Sequence, residues 1–321
     1  MSADLFSREQ LKHAATRVAR IAHRTPVLTS KTFNQLSSVD VFFKCENFQR
    51  GGAFKIRGAA NFIYSIPKAD LARGVVTFSS GNHAQAVAIA AQSVDAPAVI
   101  VMPEDAPKAK VAATRGYGAT IVTYNRLKED REAIGDRIAK ETGATIVPPY
   151  NHWWTILGQS TVASELLEEV SDLDALVVCI GGGGLISGCA LAAKALRPEI
   201  RIFGVEPELA NDTYLSFRAG ARIEIAPPET IADGLRAQSP GDLTFAVIQQ
   251  NVEDVILVSE REIRETMQFF FSRMKIVVEP SGAVAAAAAL FQKIPRELRR
   301  VGIVISGGNV DLEFFQTLAS S

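Results

Sequence analysis

Residues 175–196, ALVVCIGGGGLISGCALAAKAL, form the stretch that decides the fold. The run ALVVCI is continuously apolar, which is typical of a parallel strand covered on both faces. Four glycines follow at 181–184, and ISGCALAAKAL at 186–196 then has the pattern of a buried helix. A strand, a glycine turn and a helix in this order form the repeating unit of an open α/β sheet.

The same alternation of strand and helix continues outward along the chain. The predicted strands lie at 39–44, 74–79, 97–102, 119–124, 175–181, 201–206, 255–259 and 302–306. Helical patterns lie between them at 83–92, 127–142, 186–196 and 282–292. We therefore expect an α/β protein with open, twisted parallel sheets of the doubly wound type.

One part of this pattern is compact enough to form a smaller domain. Residues 74–149 contain a βαβαβ set of their own and end in the turn at 148–150. We expect a small α/β domain at 74–149, inserted into a large domain built from 1–73 and 150–321.

The composition restricts the class of protein. The chain has 321 residues, 47% hydrophobic and 21% charged, with a formal net charge of −1. A chain this neutral has no overall electrostatic attraction to nucleic acid or to an anionic membrane. Three cysteines are too few for a disulfide framework or a four-cysteine zinc site, and the charged N-terminal sequence lacks the apolar core of a secretory signal. We expect a soluble cytoplasmic protein that binds neither a membrane nor nucleic acid.

Four polar or glycine-rich turns lie at the carboxyl ends of predicted strands or at helix starts, where open α/β sheets bind their ligands. Lys55 stands between Phe54 and Ile56 at a helix start, a setting that can lower the pKa of a lysine. The turns at 79–83 (SSGNH), 181–184 (GGGG) and 306–309 (SGGN) offer backbone N–H groups to an anion. Taken singly, each turn could equally be a helix cap or a tight turn.

The glycine turn leaves a nucleotide site open as an alternative. It lacks the third glycine of a dinucleotide-binding fingerprint, because Ile186 stands there, and it lacks the Lys-Ser/Thr of a P-loop. Glu206, however, ends the next predicted strand, where a ribose-binding acid would sit. A nucleotide-binding oxidoreductase and a non-catalytic ligand-binding protein therefore remain competing hypotheses at this point.

Six motifs in this order and spacing resemble one enzyme family. They are FKIRGA (54–59), SSGNHAQA (79–86), GGGGL (181–185), ETIADG (229–234), EPSGA (279–283) and SGGNVDL (306–312). The chain is similar to the pyridoxal-phosphate enzymes of fold type II, the tryptophan-synthase-β type, from about residue 5 to residue 314. Within that group it most resembles the family of serine racemases, serine/threonine dehydratases and 3-hydroxyaspartate dehydratases.

The resemblance implies a role for particular residues of this chain. Lys55 would hold pyridoxal phosphate covalently and take the substrate's Cα proton, and Ser80 would be the acid/base on the opposite ring face. The remaining cofactor contacts would come from Phe54, Asn82, Gly181, Gly182, Gly183, Gly184, Gly234, Glu279 and Ser306. The substrate's α-carboxylate would be bound by Ser79, Ser80, Asn82 and His83. A Mg²⁺, Mn²⁺ or Ca²⁺ ion would be bound by Glu206, Asp212 and the Ala210 carbonyl, oxygen ligands that suit a hard cation.

The reaction that the resemblance implies is dehydration and deamination of a 3-hydroxy amino acid to a 2-keto acid. Its closest alternative is racemisation by Lys55 and Ser80, since serine at position 80 permits both. A homodimer is implied as well. Arg131 matches an arginine that closes over dicarboxylate ligands, which favours 3-hydroxyaspartate; a surface ion pair with Asp130 or Glu132 is the competing interpretation.

The segment 152–154 (His-Trp-Trp) departs from the family pattern. Two adjacent tryptophans favour packing or an interface over a substrate contact. His152 and Arg236 are further candidate cations for a second substrate carboxylate.

Overall fold

The computed structural model describes residues 6–79, 81–106, 108–125 and 127–318, with only the backbone described at 108–110. Its strands form two separate sheets, one of six strands and one of four. The strands are β1 (Val27–Leu28), β2 (Asp40–Cys45), β3 (Val75–Phe78), β4 (Ala98–Pro103), β5 (Thr120–Tyr124), β6 (Thr145–Ile146), β7 (Ala175–Cys179), β8 (Arg201–Pro207), β9 (Asp254–Val258) and β10 (Arg300–Ile305).

The six-stranded sheet has the order β1-β2-β10-β7-β8-β9. Its strands run parallel except β1, which pairs with β2 in the antiparallel sense. All five residues of the central strand β7 are buried, because helices cover both faces of the sheet. This arrangement explains why the strand sequence is apolar throughout and does not alternate.

The four-stranded sheet has the order β5-β4-β3-β6 and is parallel throughout. Its strands all lie between residues 75 and 146, inside the segment for which the sequence predicts a small domain. The exact domain boundaries stay a prediction.

Helices surround both sheets and form the connections between parallel strands. They are α1 (Arg8–Val18), α2 (Lys31–Ser37), α3 (Lys55–Ile63), α4 (Lys68–Leu71), α5 (Asn82–Gln92), α6 (Lys108–Gly116), α7 (Arg131–Thr142), α8 (Trp153–Glu169), α9 (Gly184–Leu196), α10 (Asp212–Ala219), α11 (Asp242–Asn251), α12 (Glu260–Phe269), α13 (Pro280–Leu290) and α14 (Leu312–Thr317). Across the described part of the chain, none of these helices combines the length and the apolar character needed to cross a membrane.

Small residues let the central helices approach one another closely. A Cβ on Gly158 of α8 would lie 2.7 Å from Gly58 Cα of α3, and a Cβ on Gly188 of α9 would lie 2.7 Å from the backbone nitrogen of Ser160 of α8. Such distances leave room for a hydrogen atom only. The close contact between α3 and α8 fixes the position of α3, whose first residue is Lys55.

A buried ionic network fixes α3 two residues after Lys55. The Arg57 side chain has no solvent exposure and donates to both oxygens of Glu46, at 2.7 and 2.8 Å, and to both oxygens of Glu165, at 2.7 and 2.8 Å. Lys44, also fully buried, donates to Glu165 at 2.6 Å. Because an unpaired buried charge is strongly unfavourable, removing one member of this network would leave the others uncompensated. The network therefore holds the helix start in one position.

Candidate active site

The candidate site lies between the two sheets, at the carboxyl ends of the strands. The Lys55 segment is tied to the turn after β10 by a bridge between Ala53 and Gly307 and by a 3.0 Å hydrogen bond from the Phe54 nitrogen to the Ser306 carbonyl. The glycine turn after β7 lies beside the β10 turn because β7 and β10 are neighbours. Two of the four turns predicted from the sequence thus converge directly on Lys55.

Lys55 is the first residue of α3, and its amine points into the cleft. Its Nζ donates to the Pro149 carbonyl at 3.0 Å and lies 5.2 Å from the centre of the Phe54 ring. Burial disfavours the ammonium form and lowers the pKa of Lys55 to about 8, although the charge of Glu279 acts in the opposite direction. The neutral, nucleophilic and basic form of this amine is therefore more populated near neutral pH than that of an exposed lysine.

A polar network connects the start of α5 with the turn after β10. Asn82 Nδ2 donates to Glu279 Oε1 at 2.9 Å, and Asn309 Nδ2 donates to Asn82 Oδ1 at 2.9 Å. The Asn309 backbone nitrogen completes the ring by donating to Glu279 Oε2 at 3.0 Å. Gly234 lies next to this network, and its nitrogen donates to Ser281 Oγ at 3.0 Å. Within the described residues, the Asn82 amide donates to Glu279 alone, which leaves its second hydrogen for a ligand oxygen.

Ser306 provides a neutral hydroxyl at the end of β10. It is 2% exposed and interacts with the Cys179 thiol at the end of β7. Burial raises the pKa of Cys179 to about 11, so the thiol is protonated at neutral pH. A ring nitrogen facing Ser306 would therefore meet a hydroxyl and not a carboxylate, as the resemblance implies.

The glycine turn at 181–184 has no side chains, so only its backbone groups can contact a ligand. Gly183 has a φ of 89°, a left-handed conformation that side chains other than glycine rarely adopt. Thr244 Oγ1 donates to the Gly182 carbonyl at 2.7 Å and fixes the turn from behind. The N–H groups in the first turn of α9 have no acceptor within the helix, as in anion sites at helix N-termini.

The residues predicted to bind a substrate carboxylate lie around the start of α5. Ser79 Oγ accepts a hydrogen bond from the Gly81 nitrogen at 3.3 Å. Ser80 falls outside the described residues, so its predicted role stays a prediction. The first-turn N–H groups of α5 have no helical acceptor of their own and are suited to a carboxylate.

The ring of His83 is ill suited to binding that carboxylate. Its Nε2 lies 3.0 Å from the Val147 carbonyl, which can only accept, so Nε2 carries the hydrogen and Nδ1 is a buried acceptor without a partner. Burial, reinforced by the charge of Lys55, lowers the pKa of His83 to about 3. A neutral ring whose single N–H faces Val147 cannot donate to an anion, which leaves the backbone N–H of His83 as the available group.

Arg131 begins α7 and is exposed at the side of the cleft, 5.9 Å from the centre of the Phe78 ring. Asp130 caps α7 by accepting from the Glu132 nitrogen at 2.8 Å, so this carboxylate has a structural role of its own. Among the described residues, neither Asp130 nor Glu132 forms an ion pair with Arg131, so the structure does not show the competing surface pairing. Binding of a second substrate carboxylate by Arg131 stays a prediction.

The other two candidate cations, His152 and Arg236, already form hydrogen bonds with the protein backbone. His152 is the N-cap of α8, with Nδ1 accepting from the Trp154 nitrogen at 3.1 Å, and Arg236 donates twice to the Thr230 carbonyl. Trp154 packs on Phe62 at 5.4 Å between ring centres. The packing interpretation of the tryptophan pair is thus the one that the structure favours.

Glu206, Ala210 and Asp212, the residues predicted to bind a cation, are all buried at or just after the end of β8. The Glu206 carboxylate accepts from the backbone nitrogens of Thr213 and Tyr214 at 3.2 and 2.8 Å. Both oxygens of Asp212 are buried without a hydrogen-bond partner. Burial raises the pKa of Asp212 to about 7, and burial together with the charge of Asp212 raises the pKa of Glu206 well above its ordinary value.

These carboxylates fit a hard cation better than they fit a ribose. The described residues hold no group of three or more His, Cys, Asp or Glu side chains arranged for a metal, so a cation here would be held by two carboxylates, a carbonyl and water. The Glu206 oxygens are directed at the first turn of α10 and are fully buried. This geometry removes the main support for the nucleotide-site alternative.

Two residues contribute to the site more than the sequence interpretation indicated: it assigned Tyr150 no role, and it included Asn309 only as the last residue of the SGGN turn. The Tyr150 ring covers Gly182, and Asn309 bridges the α5 start to the Gly51 carbonyl at 2.7 Å. The only signals in the sequence are that Tyr150 ends the turn at 148–150 and that Asn309 ends the predicted SGGN turn.

Comparison with known proteins points to the same enzyme family that the six sequence motifs resemble. The family profile described as "Pyridoxal-phosphate dependent enzyme" matches residues 18–307. The chain is 52% identical over 307 residues to the L-threo-3-hydroxyaspartate ammonia-lyase of Saccharomyces cerevisiae, covering 96% of this chain and 94% of that protein. It is 50% identical over 305 residues to the serine racemase of Schizosaccharomyces pombe, covering 95% of this chain and 94% of that protein.

A solved structure confirms the predicted fold class. Maize serine racemase superposes with a TM-score of 0.93 at 45% sequence identity, covering 98% of this chain and 97% of that chain. The α/β architecture predicted from the alternation of strands and helices, and from the six motifs, is therefore correct.

Proposed function

The chain belongs to the family of pyridoxal-phosphate dependent enzymes, and we propose that it is a dehydratase of 3-hydroxy amino acids that releases ammonia and a 2-keto acid. The observation that carries the reaction type is Lys55, whose amine has a pKa of about 8 and donates to the Pro149 carbonyl beside the turn after β10. The substrate class rests on relatives, of which the Saccharomyces cerevisiae protein is named for L-threo-3-hydroxyaspartate. Serine and threonine are the smaller substrates of the same class.

The residues of the cleft fit pyridoxal phosphate. The amine of Lys55 would hold its aldehyde carbon, the turn of Gly181, Gly182, Gly183 and Gly184 would hold its phosphate, and Ser306 would face its ring nitrogen. Phe54, Asn82, Gly234 and Glu279 would surround the ring. When bound, the cofactor acidifies the Cα–H bond of an amino acid and takes up its electron pair.

The chain's own residues would orient the substrate and move its protons. The N–H groups in the first turn of α5, together with Ser79, would bind the α-carboxylate and fix the amino acid in the cleft. The neutral amine of Lys55 would accept the Cα proton, because its lowered pKa leaves a basic fraction at working pH. The neutral Ser306 would leave the ring nitrogen unprotonated.

The net reaction balances without a further reactant. Loss of the Cα proton and the β-hydroxyl releases one water and leaves an enamine, whose imine form then takes up one water and releases ammonia. From 3-hydroxyaspartate the product is oxaloacetate; from serine it is pyruvate. No oxidant or reductant is consumed.

A divalent cation is part of the proposal. Asp212 has two buried oxygens without partners beside the carboxylate of Glu206, and a cation would neutralise both. The Ala210 carbonyl would supply a third oxygen, and Mg²⁺, Mn²⁺ and Ca²⁺ are all suited to this ligand set.

Serine racemisation is the second candidate activity, because the chain is 50% identical to the Schizosaccharomyces pombe serine racemase. It would use Lys55 on one face of the substrate and Ser80 on the other. We further propose a cytoplasmic homodimer. Its support is the apolar surface at Phe271, Val277 and Leu312, which are 52%, 46% and 72% exposed.

A panel of amino acids tests the proposal. The protein is incubated with pyridoxal phosphate, Mg²⁺ and one of L-threo-3-hydroxyaspartate, L-serine or L-threonine, and keto acid, ammonia and enantiomeric composition are measured together. Equimolar keto acid and ammonia, formed fastest from L-threo-3-hydroxyaspartate, supports the lyase. Conversion of L-serine to D-serine faster than any keto acid forms would identify a racemase, and neither product would refute both candidates.

A further inference from the structure

The side chain of Asn151 links the connection between β6 and α8 to the first turn of α11. Asn151 lies in that connection, directly after Tyr150. Its Nδ2 donates to Asp242 Oδ1 at 2.5 Å, and its Oδ1 accepts from the Leu243 nitrogen at 3.1 Å. Both polar atoms of the amide are therefore bonded to the same helix start.

The start of α11 is open to this contact because it has no capping side chain of its own. Its N-cap is Gly241, so the first N–H groups of the helix lack the usual side-chain acceptor. A Cβ on Gly241 would overlap the amide of Asn151. Asn151 thus takes the place of the N-cap side chain, although it lies 91 residues before Asp242 in the chain.

The first turn of α11 contacts the glycine turn through Thr244. Thr244 Oγ1 donates to the Gly182 carbonyl at 2.7 Å, and a Cβ on Gly183 would lie 2.8 Å from Thr244 Cβ. Because Thr244 directly follows Leu243, the hydrogen bond to Asn151 restrains the segment that carries this hydroxyl.

The connection on the other side of the Asn151 contact also touches the glycine turn. A Cβ on Gly182 would overlap the ring of Tyr150, and a Cβ on Gly184 would lie 2.7 Å from Tyr150 Cβ. The Pro149 carbonyl, one residue earlier, accepts from Lys55 Nζ at 3.0 Å. Asn151 therefore joins the two segments that pack on the glycine turn.

A poorly held glycine turn would weaken binding of a phosphate more than binding of a ring. The groups expected around the ring lie at the start of α5 and after β10, outside these two segments. Resting on the cofactor site proposed above, we propose that Asn151 is a positioning residue, which holds Thr244 and Tyr150 against the glycine turn and so preorganises the turn for the phosphate of pyridoxal phosphate. A turn that must be ordered during binding binds more weakly.

Exchanging the two side chains of the pair tests the assignment. Asn151→Asp removes the donor and brings two carboxylates together, whereas Asn151→Asp combined with Asp242→Asn restores the hydrogen bond in the reverse direction. The matched control is Asn34→Asp at the start of β2, away from the cleft. Asn34 makes the same two contacts, donating to Asp40 Oδ1 at 3.0 Å and accepting from the Val41 nitrogen at 3.1 Å.

The readout is the affinity of the full-length, cofactor-free protein for pyridoxal phosphate and for pyridoxal, which lacks the phosphate. A general disturbance of the cleft changes both affinities, whereas a change in the glycine turn alters their ratio. We expect Asn151→Asp to weaken binding of pyridoxal phosphate about 3- to 10-fold, the range for one hydrogen bond, and binding of pyridoxal less than about twofold. The exchanged variant should return to within about twofold of the wild type, and Asn34→Asp should leave both affinities within about twofold.

Three results would overturn the assignment. They are an unchanged affinity for pyridoxal phosphate, equal losses for both ligands, and a loss that the exchanged variant does not recover. If Asn151→Asp does not fold, Asp242→Ala replaces it in the comparison and should show the same selective loss, because it removes the acceptor of the Asn151 amide. A wild type that binds pyridoxal phosphate but releases no keto acid would refute the lyase, and the affinity ratio would still decide the role of Asn151.

Discussion

Asp212→Asn is expected to change the stability of the protein in opposite directions with and without a divalent cation. Both oxygens of Asp212 are buried without donors, and the carboxylate of Glu206 is close enough for each charge to disfavour the other. A pKa of about 7 for Asp212, against an ordinary 3.8, corresponds to about 4 kcal/mol for keeping it ionised, at about 1.36 kcal/mol per pKa unit.

The pH window follows from the direction of this shift. Because the folded-state pKa of Asp212 is raised, the folded protein binds more protons than the unfolded chain between about pH 4 and pH 7. The destabilisation is therefore complete above pH 7 and disappears as the pH falls towards 4. In chelator at pH 8, Asp212→Asn should be more stable than the wild type by about 2 to 4 kcal/mol, and at pH 5 the difference should shrink.

Saturating cation reverses the order. A cation that binds only the folded wild type adds about 4.1 kcal/mol at one thousand times its dissociation constant, enough to offset the difference expected in chelator, whereas the asparagine variant lacks one charged ligand. The assay is urea unfolding of both proteins at pH 8, in EDTA and in Mg²⁺ or Ca²⁺. Glu208→Gln, a change of an exposed carboxylate in the same loop, is the matched control and should respond to the cation as the wild type does. A wild type indifferent to cation, or an asparagine variant less stable in EDTA, would refute the cation site.

Three further predictions concern the cleft. The rate at which the cofactor-free protein takes up pyridoxal phosphate should rise with pH and be half-maximal near pH 8, because the amine of Lys55 must be neutral to react and its pKa is about 8; a midpoint near 10 in a stopped-flow absorbance titration would contradict this. Gly182→Ala should weaken cofactor binding at least about tenfold while circular dichroism stays unchanged, because the new methyl group overlaps the Tyr150 ring; unchanged affinity by fluorescence titration would argue against the packing described. Arg131→Ala should cost the turnover of L-threo-3-hydroxyaspartate about 1.5 to 3 kcal/mol more than that of serine in kcat/KM, and equal costs would assign Arg131 to closure of the cleft.

The regular part of the fold could be predicted because its strands are buried on both faces. Runs such as 175–181 and 302–306 are continuously apolar and β-branched, and the structure places strands there within one or two residues. Strands β1 and β6 could not be predicted, because two residues are too few to show a hydrophobic pattern. Helix α8 was missed for a different reason. It is buried on almost every side, so its sequence lacks the polar face that marks a surface helix.

Candidate site residues could be selected from the sequence where they form contiguous motifs, and contacts that depend on the folded chain could not. Lys55 and the glycine turn stand in such motifs, whose resemblance to one enzyme family suggested their roles. Tyr150 covers Gly182, which is more than 30 residues away in the chain, and no local pattern reports such a contact. The sequence predicts that His83 binds the substrate carboxylate, but its ring is unsuited to this role. The Val147 carbonyl, in the connection after β6, fixes the ring's only N–H, and no pattern around residue 83 reports that contact.

The most direct test of the central claim, that Lys55 is the amine at the reacting centre, is to identify the lysine that holds the cofactor. The protein loaded with pyridoxal phosphate is reduced with borohydride and digested, and the modified peptide is sequenced by mass spectrometry. The account predicts that the pyridoxyl group is found on Lys55 alone and that Lys55→Ala yields no modified peptide and no keto acid. Modification of a different lysine, or keto-acid release by Lys55→Ala at the wild-type rate, would contradict it.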